Sequence, residues 1–255
     1  SRGFDWLGLV KSGRAAADQE AGRAGRNGPG RCVRLWSESD HRNRKEFETP
    51  EVRRVDLAEA ILFLKRLGVN EVMDFRWLDQ PENERRLDAE KLLTWLGALD
   101  SGGRLMEAGK QMAALPLHPR LSALVLQGGD CLGEVLFVAA AVQGEGVFKR
   151  AGRGQRWSEF LEGEPGWGND FGAEWLAMMA AKNLDFRPRE CDGLGVLARG
   201  ARETWKNFQQ LCRLFEKRGD RIKEPDFRQR GEACAKAMLI AFGDRLAVRR
   251  DQGSA

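Results

Sequence analysis

What this chain of 255 residues has little of narrows its function before any motif is read. There are only two histidines, His41 and His118, and neither has a carboxylate or a second histidine at triad or metal-ligand spacing. Histidine-based catalysis and a metal site are therefore not expected. The five cysteines (Cys32, Cys131, Cys191, Cys212 and Cys234) are odd in number, widely spaced and without a Cys-x-x-Cys pair. That pattern argues against a disulfide framework and a zinc site and fits a reducing cytoplasm. The longest unbroken apolar run, Val135 to Val142, falls far short of the ~20 residues that a bilayer requires, so no membrane partner is expected. Internal repeats are absent. Ser1-Arg2-Gly3 opens no cleavable leader and predicts a chain that begins inside a longer protein.

Against those absences, 42% hydrophobic and 31% charged residues describe a globular chain long enough for several small cores. A formal net charge of +4 is too mild to imply a nucleic-acid partner by itself. Its distribution says more, because over residues 1–45 basic side chains outnumber acidic ones two to one. Within that stretch lies Gln19-Glu20-Ala21-Gly22-Arg23-Ala24-Gly25-Arg26. Two permanently charged guanidiniums, each a planar fork of donors, are separated by small residues that let a bulky polyanion approach the backbone. The octet reads as half of a phosphate-binding site whose other half is not in the sequence.

The chain around it predicts a mostly α protein with a partial α/β start. Ala15 to Ala24 reads as a helix, Gly28-Pro29-Gly30 as a turn, and Arg31 to Trp36, alternating apolar and charged, as a strand. Residues 37–48 are polar and read as a linker. From Pro50 short helices follow, with Val55, Ala58, Ile61, Leu62 and Leu64 in one and Leu87, Leu92, Leu93, Leu96 and Leu99 in another. Asp100-Ser101-Gly102-Gly103 makes a hairpin turn and Glu107 to Leu115 resumes a helix that Pro116 stops. Three helices and a small hairpin describe a winged helix. Beyond Pro119 helices are predicted at Leu121–Leu126, Leu132–Val142, Phe171–Leu184, Leu194–Phe215 and Phe227–Val248, with the glycine-rich Gly144–Gly168 as a flexible loop. The longest carries an apolar stripe through Leu194, Leu197, Ala201, Trp205, Phe208, Cys212 and Phe215 and a basic side with Arg199, Arg202, Lys206, Arg213 and Lys217.

Gln19-x-x-Gly22-Arg23-x-Gly25-Arg26, followed by Pro29-Gly30-x-Cys32-x-x-Leu35, resembles the sixth helicase motif of superfamily 2, in its DEAH-box group. Downstream, Pro50-Glu51-Val52-Arg53-Arg54-Val55-Asp56-Leu57, Trp77-Leu78-Asp79-Gln80-Pro81, Leu96-Gly97-Ala98-Leu99-Asp100-x-x-Gly103-Arg104-Leu105 and Met112-Ala113-x-Leu115-Pro116-Leu117-x-Pro119-Arg120 are similar to the winged-helix module of those helicases. Trp77 to Pro81 and the ending Ala241-Phe242-Gly243-Asp244-Arg245-Leu246-Ala247-x-Arg249-Arg250 are similar to the bacterial HrpB type.

The resemblance implies an ATP-dependent RNA helicase of which this chain is the C-terminal part. Residues 1–48 would end the second RecA-like domain, 49–118 would be the winged helix, and 119–255 the helical, ratchet-like domain. The Gly-x-x-x-x-Gly-Lys-Ser/Thr loop and the DEAH carboxylates holding Mg²⁺ would lie upstream, in RecA-like domains that are partners within the same protein, and a β-barrel would follow. ATP and Mg²⁺ are the implied cofactors, RNA or single-stranded DNA the implied ligand. Arg23 and Arg26 would be arginine fingers for the γ-phosphoryl group, Gln19 would orient it, and Gly22 and Gly25 would admit it. Where the family has Arg after the motif's Gln, this sequence has Glu20, which repels a triphosphate unless it points away or pairs with Arg23 or Arg14.

Bland alternatives stand beside these expectations. The winged helix reads nucleic acid or serves as a rigid spacer, its Leu, Trp and Met positions favouring the spacer. Arg199, Arg202 and Lys206 line a single-strand channel or are a solvated face. Trp95, Trp175 and Trp205 fall in apolar stripes as core, leaving Trp157 and Trp167 for base stacking. Arg245, Arg249 and Arg250 complement a helix end. A non-catalytic winged-helix and helical scaffold that binds nucleic acid is the rival to an enzyme. Residues 1–36 are expected to be weakly held, since a lone helix and strand cannot bury both faces of a sheet.

Overall fold

The structure is a computed structural model that describes residues 11–148 and 170–247. Most of the expected Gly144–Gly168 loop, Trp157, Trp167, Arg249 and Arg250 lie outside the described residues. The chain divides into two compact units, Ser1–Leu92 and Leu93–Ala255. The described residues are mostly helical, and their only β pairing is two isolated antiparallel bridges, Leu99 with Leu105 and Phe148 with Val196.

In the first unit α1 spans Arg14–Gly22 and runs into a 3-10 turn at Arg23–Gly25. The strand expected at Arg31 to Trp36 does not form, and Val33 and Leu35 stand 80% and 92% exposed. A strand is stabilised by the ladder beside it, and no neighbouring strand is present among the described residues to supply one. The polar stretch read as a linker is instead folded. Ser37 caps α2, Glu38–Arg42, its side chain accepting from the Asp40 amide at 3.0 Å. The start of α1 explains the rest of that stretch. Its N-cap is Gly13, which has no side chain to offer, so the first helical amides lack a local acceptor. The carbonyls of Lys45 and Glu46 take their place, accepting from the amides of Arg14 at 2.8 Å and Ala15 at 2.9 Å.

Farther along, α3 is Ala58–Arg66 and α4 is Asn83–Trp95. Ala58, Ile61, Leu62 and Leu64 are buried as the spacing predicts, while Val55 and Leu87, also assigned to apolar faces, are over a third exposed.

The second unit begins at Leu93, in the last turn of α4, and continues into the turn that follows it. Asp100 organises it, its side chain accepting from the amides of Gly102 and Arg104, both at 2.9 Å, and its own amide donating to the Arg104 carbonyl. After α5, Glu107–Met112, comes α6, Pro119–Leu126, with proline in its first turn and His118 as N-cap, Nδ1 accepting from the Arg120 amide at 3.3 Å. The next helix, α7 at Leu132–Gln143, is apolar apart from Glu134 and the terminal Gln143 and is consequently central. Around it pack α6, α8 (Asp170–Asn183), α10 (Ala198–Glu216) and α11 (Phe227–Phe242), with the short α9, Pro188–Gly193, preceding α10. No single described helix is long and apolar enough to cross a membrane, and the one pair that passes together, Pro119–Leu126 with Gly129–Gln143, is bent by 110°.

Phe137 of α7 is the hub of that packing. Fully buried, it meets Trp175 at 5.2 Å, Phe227 at 5.9 Å and Phe208 at 6.1 Å between ring centroids, each edge to face. Of the stripe predicted on α10, Ala201, Phe208 and Phe215 are buried, but Thr204 and Leu211 lie deeper than Leu194, Leu197, Trp205 and Cys212. Trp175 is core as expected and Trp95 is not, being 46% exposed over Arg120 and Gly243. The N-terminal end of α10 sits on residues 144–148: a Cβ on Gly200 would lie 2.0 Å from the Gly146 carbonyl oxygen, so only glycine allows the approach.

Candidate functional site

The arginine element occupies the end of α1 and the turn after it. Gln19, Arg23 and Arg26 are spaced i, i+4, i+7 along a continuous right-handed stretch and so share one side of it. All three are exposed. Neither guanidinium forms an ion pair among the described residues, and nothing lies within 4 Å of a Cβ built on Gly22 or Gly25. Glu20 is exposed as well and pairs with neither candidate partner; Arg14 is 3.9 Å from Glu46 instead. Two open forks, a neutral amide on the same side and an unobstructed backbone suit a phosphate chain. The donor chemistry of these residues therefore fits ATP, while the Mg²⁺ ligands are not among them.

Behind the arginines the chain turns sharply through Gly28-Pro29-Gly30. A Cβ on Gly30 would come within 1.8 Å of the Ala24 carbonyl oxygen, so the returning chain lies directly on the arginine turn. Arg34 then pairs with Asp18 of α1.

The second candidate region is α10, where Arg199, Arg202 and Lys206 are exposed at i, i+3, i+7 on one face. Two of the three already have work inside the protein. Arg199 pairs with Glu145 at 3.0 Å, and Arg202 donates to the Phe186 carbonyl at 3.2 Å with its guanidinium 5.7 Å from the Phe186 ring. Phe186 and Asp185 end α8 with φ of 53° and 51°, consecutive non-glycine residues in the left-handed region, a conformation that costs on the order of 1 kcal/mol each. Arg202 therefore fastens a strained turn. Lys206 is the member with neither engagement, and nearby Lys182 stands 4.1 Å over the half-buried Trp205 ring.

Two features escaped the sequence reading. Arg120 is 6% exposed and its guanidinium donates to both oxygens of Asp244, at 2.7 and 2.6 Å, and to the Ala241 carbonyl at 2.9 Å. Those hydrogen bonds, led by Arg120, hold the Asp244 carboxyl below its ordinary 3.8. The signal was present, because Pro119-Arg120 closes one helicase-like segment and Gly243-Asp244-Arg245 lies inside another; their meeting was not. Glu134, with its side chain wholly buried on α7, accepts from the Asp226 amide at 2.6 Å and pairs with Arg230 at 2.8 Å. Burial pushes the Cys212 thiol up to about 11 and Cys234 to about 12, so neither supplies a thiolate at neutral pH. No group of three metal-ligating side chains exists among the described residues.

Comparison with protein families finds a match in the region after α3. Residues 89–117, from the second half of α4 through the Leu99–Leu105 turn to α5 and Leu117, match the helicase associated domain (HA2), winged-helix. That match supports a helicase-associated C-terminal region for this part of the chain.

Proposed function

We propose that the chain is the C-terminal part of a DEAH-box ATP-dependent RNA helicase of the HrpB type, acting in the cytoplasm. The observation that carries the proposal is the order of two features: an exposed Gln-Gly-Arg-Gly-Arg element, then a match to the winged-helix module associated with helicases. Residues 1–48 are read as the end of the second RecA-like domain, 49–118 as the winged helix and 119–255 as the ratchet-like domain.

Bound Mg²⁺ and ATP would supply the electrophilic γ-phosphoryl group and its charge neutralisation. Arg23 and Arg26 would hold its oxygens through their guanidinium donors and would stabilise charge that grows in the transition state. Gln19 orients the γ-phosphate or the attacking water through its amide. Cleft closure and opening are converted into movement along a single strand, with RNA the preferred ligand and single-stranded DNA the alternative.

The test is Arg26→Ala, and separately Arg23→Ala, in the full-length protein. RNA-stimulated ATP hydrolysis is expected to fall by about 10³-fold or more. Near-normal turnover in Arg26→Ala removes the assignment and favours a non-catalytic scaffold. Strand contact is tested by replacing Arg199, Arg202 and Lys206 with Ala. The slope of log affinity for RNA against log salt is expected to flatten by about 0.7 to 2, since a single-strand phosphate contact contributes about 0.7 and two of these cations are already engaged. An unchanged slope makes the face merely solvated.

A further inference from the structure

Besides the contact of Gly30 on the arginine turn, the arginines are aimed through α1, because that helix carries Gln19 and leads into Arg23 and Arg26 with no break. The far end of α1 is held by a cluster that the sequence did not announce. Arg44 is its centre, with a side chain 9% exposed. Nε and Nη2 donate to Asp40 Oδ2 at 3.3 and 2.9 Å, while Nη1 donates to Ser12 Oγ at 3.1 Å and to the Ser12 carbonyl at 3.3 Å. The planar face of the guanidinium lies 4.0 Å from the centroid of Trp36, whose ring in turn stacks on His41 at 6.4 Å. Lys11 also pairs with Asp40.

Each connection joins a different stretch of chain. Ser12 precedes the N-cap of α1, Asp40 lies on α2, and Trp36 ends the segment that returns from the arginine turn. Directly after Arg44, the carbonyls of Lys45 and Glu46 cap the first two amides of α1. A single guanidinium thus fixes the position of the segment that caps the helix, and does so by a fork and a flat face that an ammonium cannot reproduce together. Apolar burial does little of this holding, because Ala17 is the only buried hydrophobic residue of α1.

We propose that Arg44, stacked on Trp36, is a positioning residue for the arginine element: it sets the angle of α1 and hence the aim of Arg23 and Arg26. The inference rests on the proposed nucleotide role of those arginines. Displacing a transition-state contact by about 1 Å costs on the order of 100-fold in rate. Such a loss appears in kcat while KM stays nearly constant, since the contact is made chiefly in the transition state.

The experiment compares Arg44→Ala, Arg44→Lys and Arg26→Ala in the full-length protein, with steady-state ATP hydrolysis and peptide-resolved hydrogen exchange. For Arg44→Ala we expect kcat lower by about 10- to 100-fold with little change in KM, and faster exchange over residues 13–22 with α3, Ala58–Arg66, unchanged. Arg44→Lys, keeping the charge beside Asp40 but losing the fork and the stack, is expected to fall between wild type and Arg44→Ala in both readouts. Unchanged kcat in Arg44→Ala, while Arg26→Ala abolishes turnover, overturns the positioning role alone. Unchanged exchange over 13–22 overturns it too, whatever the activity. Exchange that rises equally in α3 means general loosening of the unit and also refutes it. If Arg26→Ala turns over normally, the parent assignment fails first and this inference falls with it.

Discussion

Residues 11–48 and the helical unit from Leu93 onward are held together by different forces. In the first, Ala17 is the only buried hydrophobic side chain, and the segments are joined by Arg44 with Asp40 and Ser12, Arg34 with Asp18, Arg14 with Glu46 and two capping carbonyls. In the second, aromatic rings close on Phe137 and apolar side chains fill the spaces between five helices. A core resists salt and changes of partner; a set of ion pairs and caps yields to both. Under the proposed function the difference suits the first region, since an element that meets a polyanion must keep its cations near water.

The largest test of that contrast is Phe137→Ala. Removing the hub should cost about 3–5 kcal/mol in the helical unit, read as a lower denaturation midpoint by near-ultraviolet circular dichroism. A loss below about 1 kcal/mol would mean that the rings are not what holds these helices. Next is Asp244→Asn, which leaves the Arg120 guanidinium facing a neutral amide. The buried-pair penalty, reduced for a carboxylate that is itself 45% exposed, gives an expected loss of about 2 kcal/mol. The same pair fixes a pH dependence. Because the folded carboxyl is depressed below its ordinary 3.8, its contribution is complete above that value and is lost as pH falls through the lowered one. Wild type should therefore lose more stability than Asp244→Asn between about pH 4 and pH 2, and parallel acid titrations would contradict the pairing. The smallest expected effect separates the two regions directly. Raising NaCl from about 50 mM to 1 M shortens the Debye length from over 10 Å to 3 Å, and should speed amide exchange in residues 13–22 several-fold while leaving α7 unchanged. Equal responses would erase the distinction.

How much was legible in the sequence follows the same divide. In the second unit α6, α7 and α8 lie within two residues of their expected bounds because periodic burial writes itself into spacing, whereas α10 starts at Ala198 rather than Leu194, α11 ends at Phe242 rather than Val248, and the short α9 carries no apolar period to announce it. Trp95 misled because an apolar residue in a helical stripe covers Arg120 and Gly243 from outside rather than entering the core. Residues 37–48 misled for the opposite reason: their order comes from polar contacts, which leave no hydrophobic period. Even so, Ser37-x-x-Asp40 is a capping signature and could have marked α2. The octet announced its exposed cations from residue type alone. What is inferred to set their direction, a guanidinium 18 positions beyond Arg26 in the chain, depends on contacts with Ser12, Asp40 and Trp36 that no hydrophobic period reveals.

One consequence of the Arg120–Asp244 contact belongs to time rather than to equilibrium. The partners are 124 residues apart, and the carbonyl that Arg120 also engages comes 121 residues after it. During synthesis the cation of α6 is made early, with its acceptors still to be translated, so it must stay hydrated until the last turn leaves the ribosome. Final closure of the helical unit is thereby a late event, set by loop closure across most of its length and expected to be slow beside the formation of its individual helices.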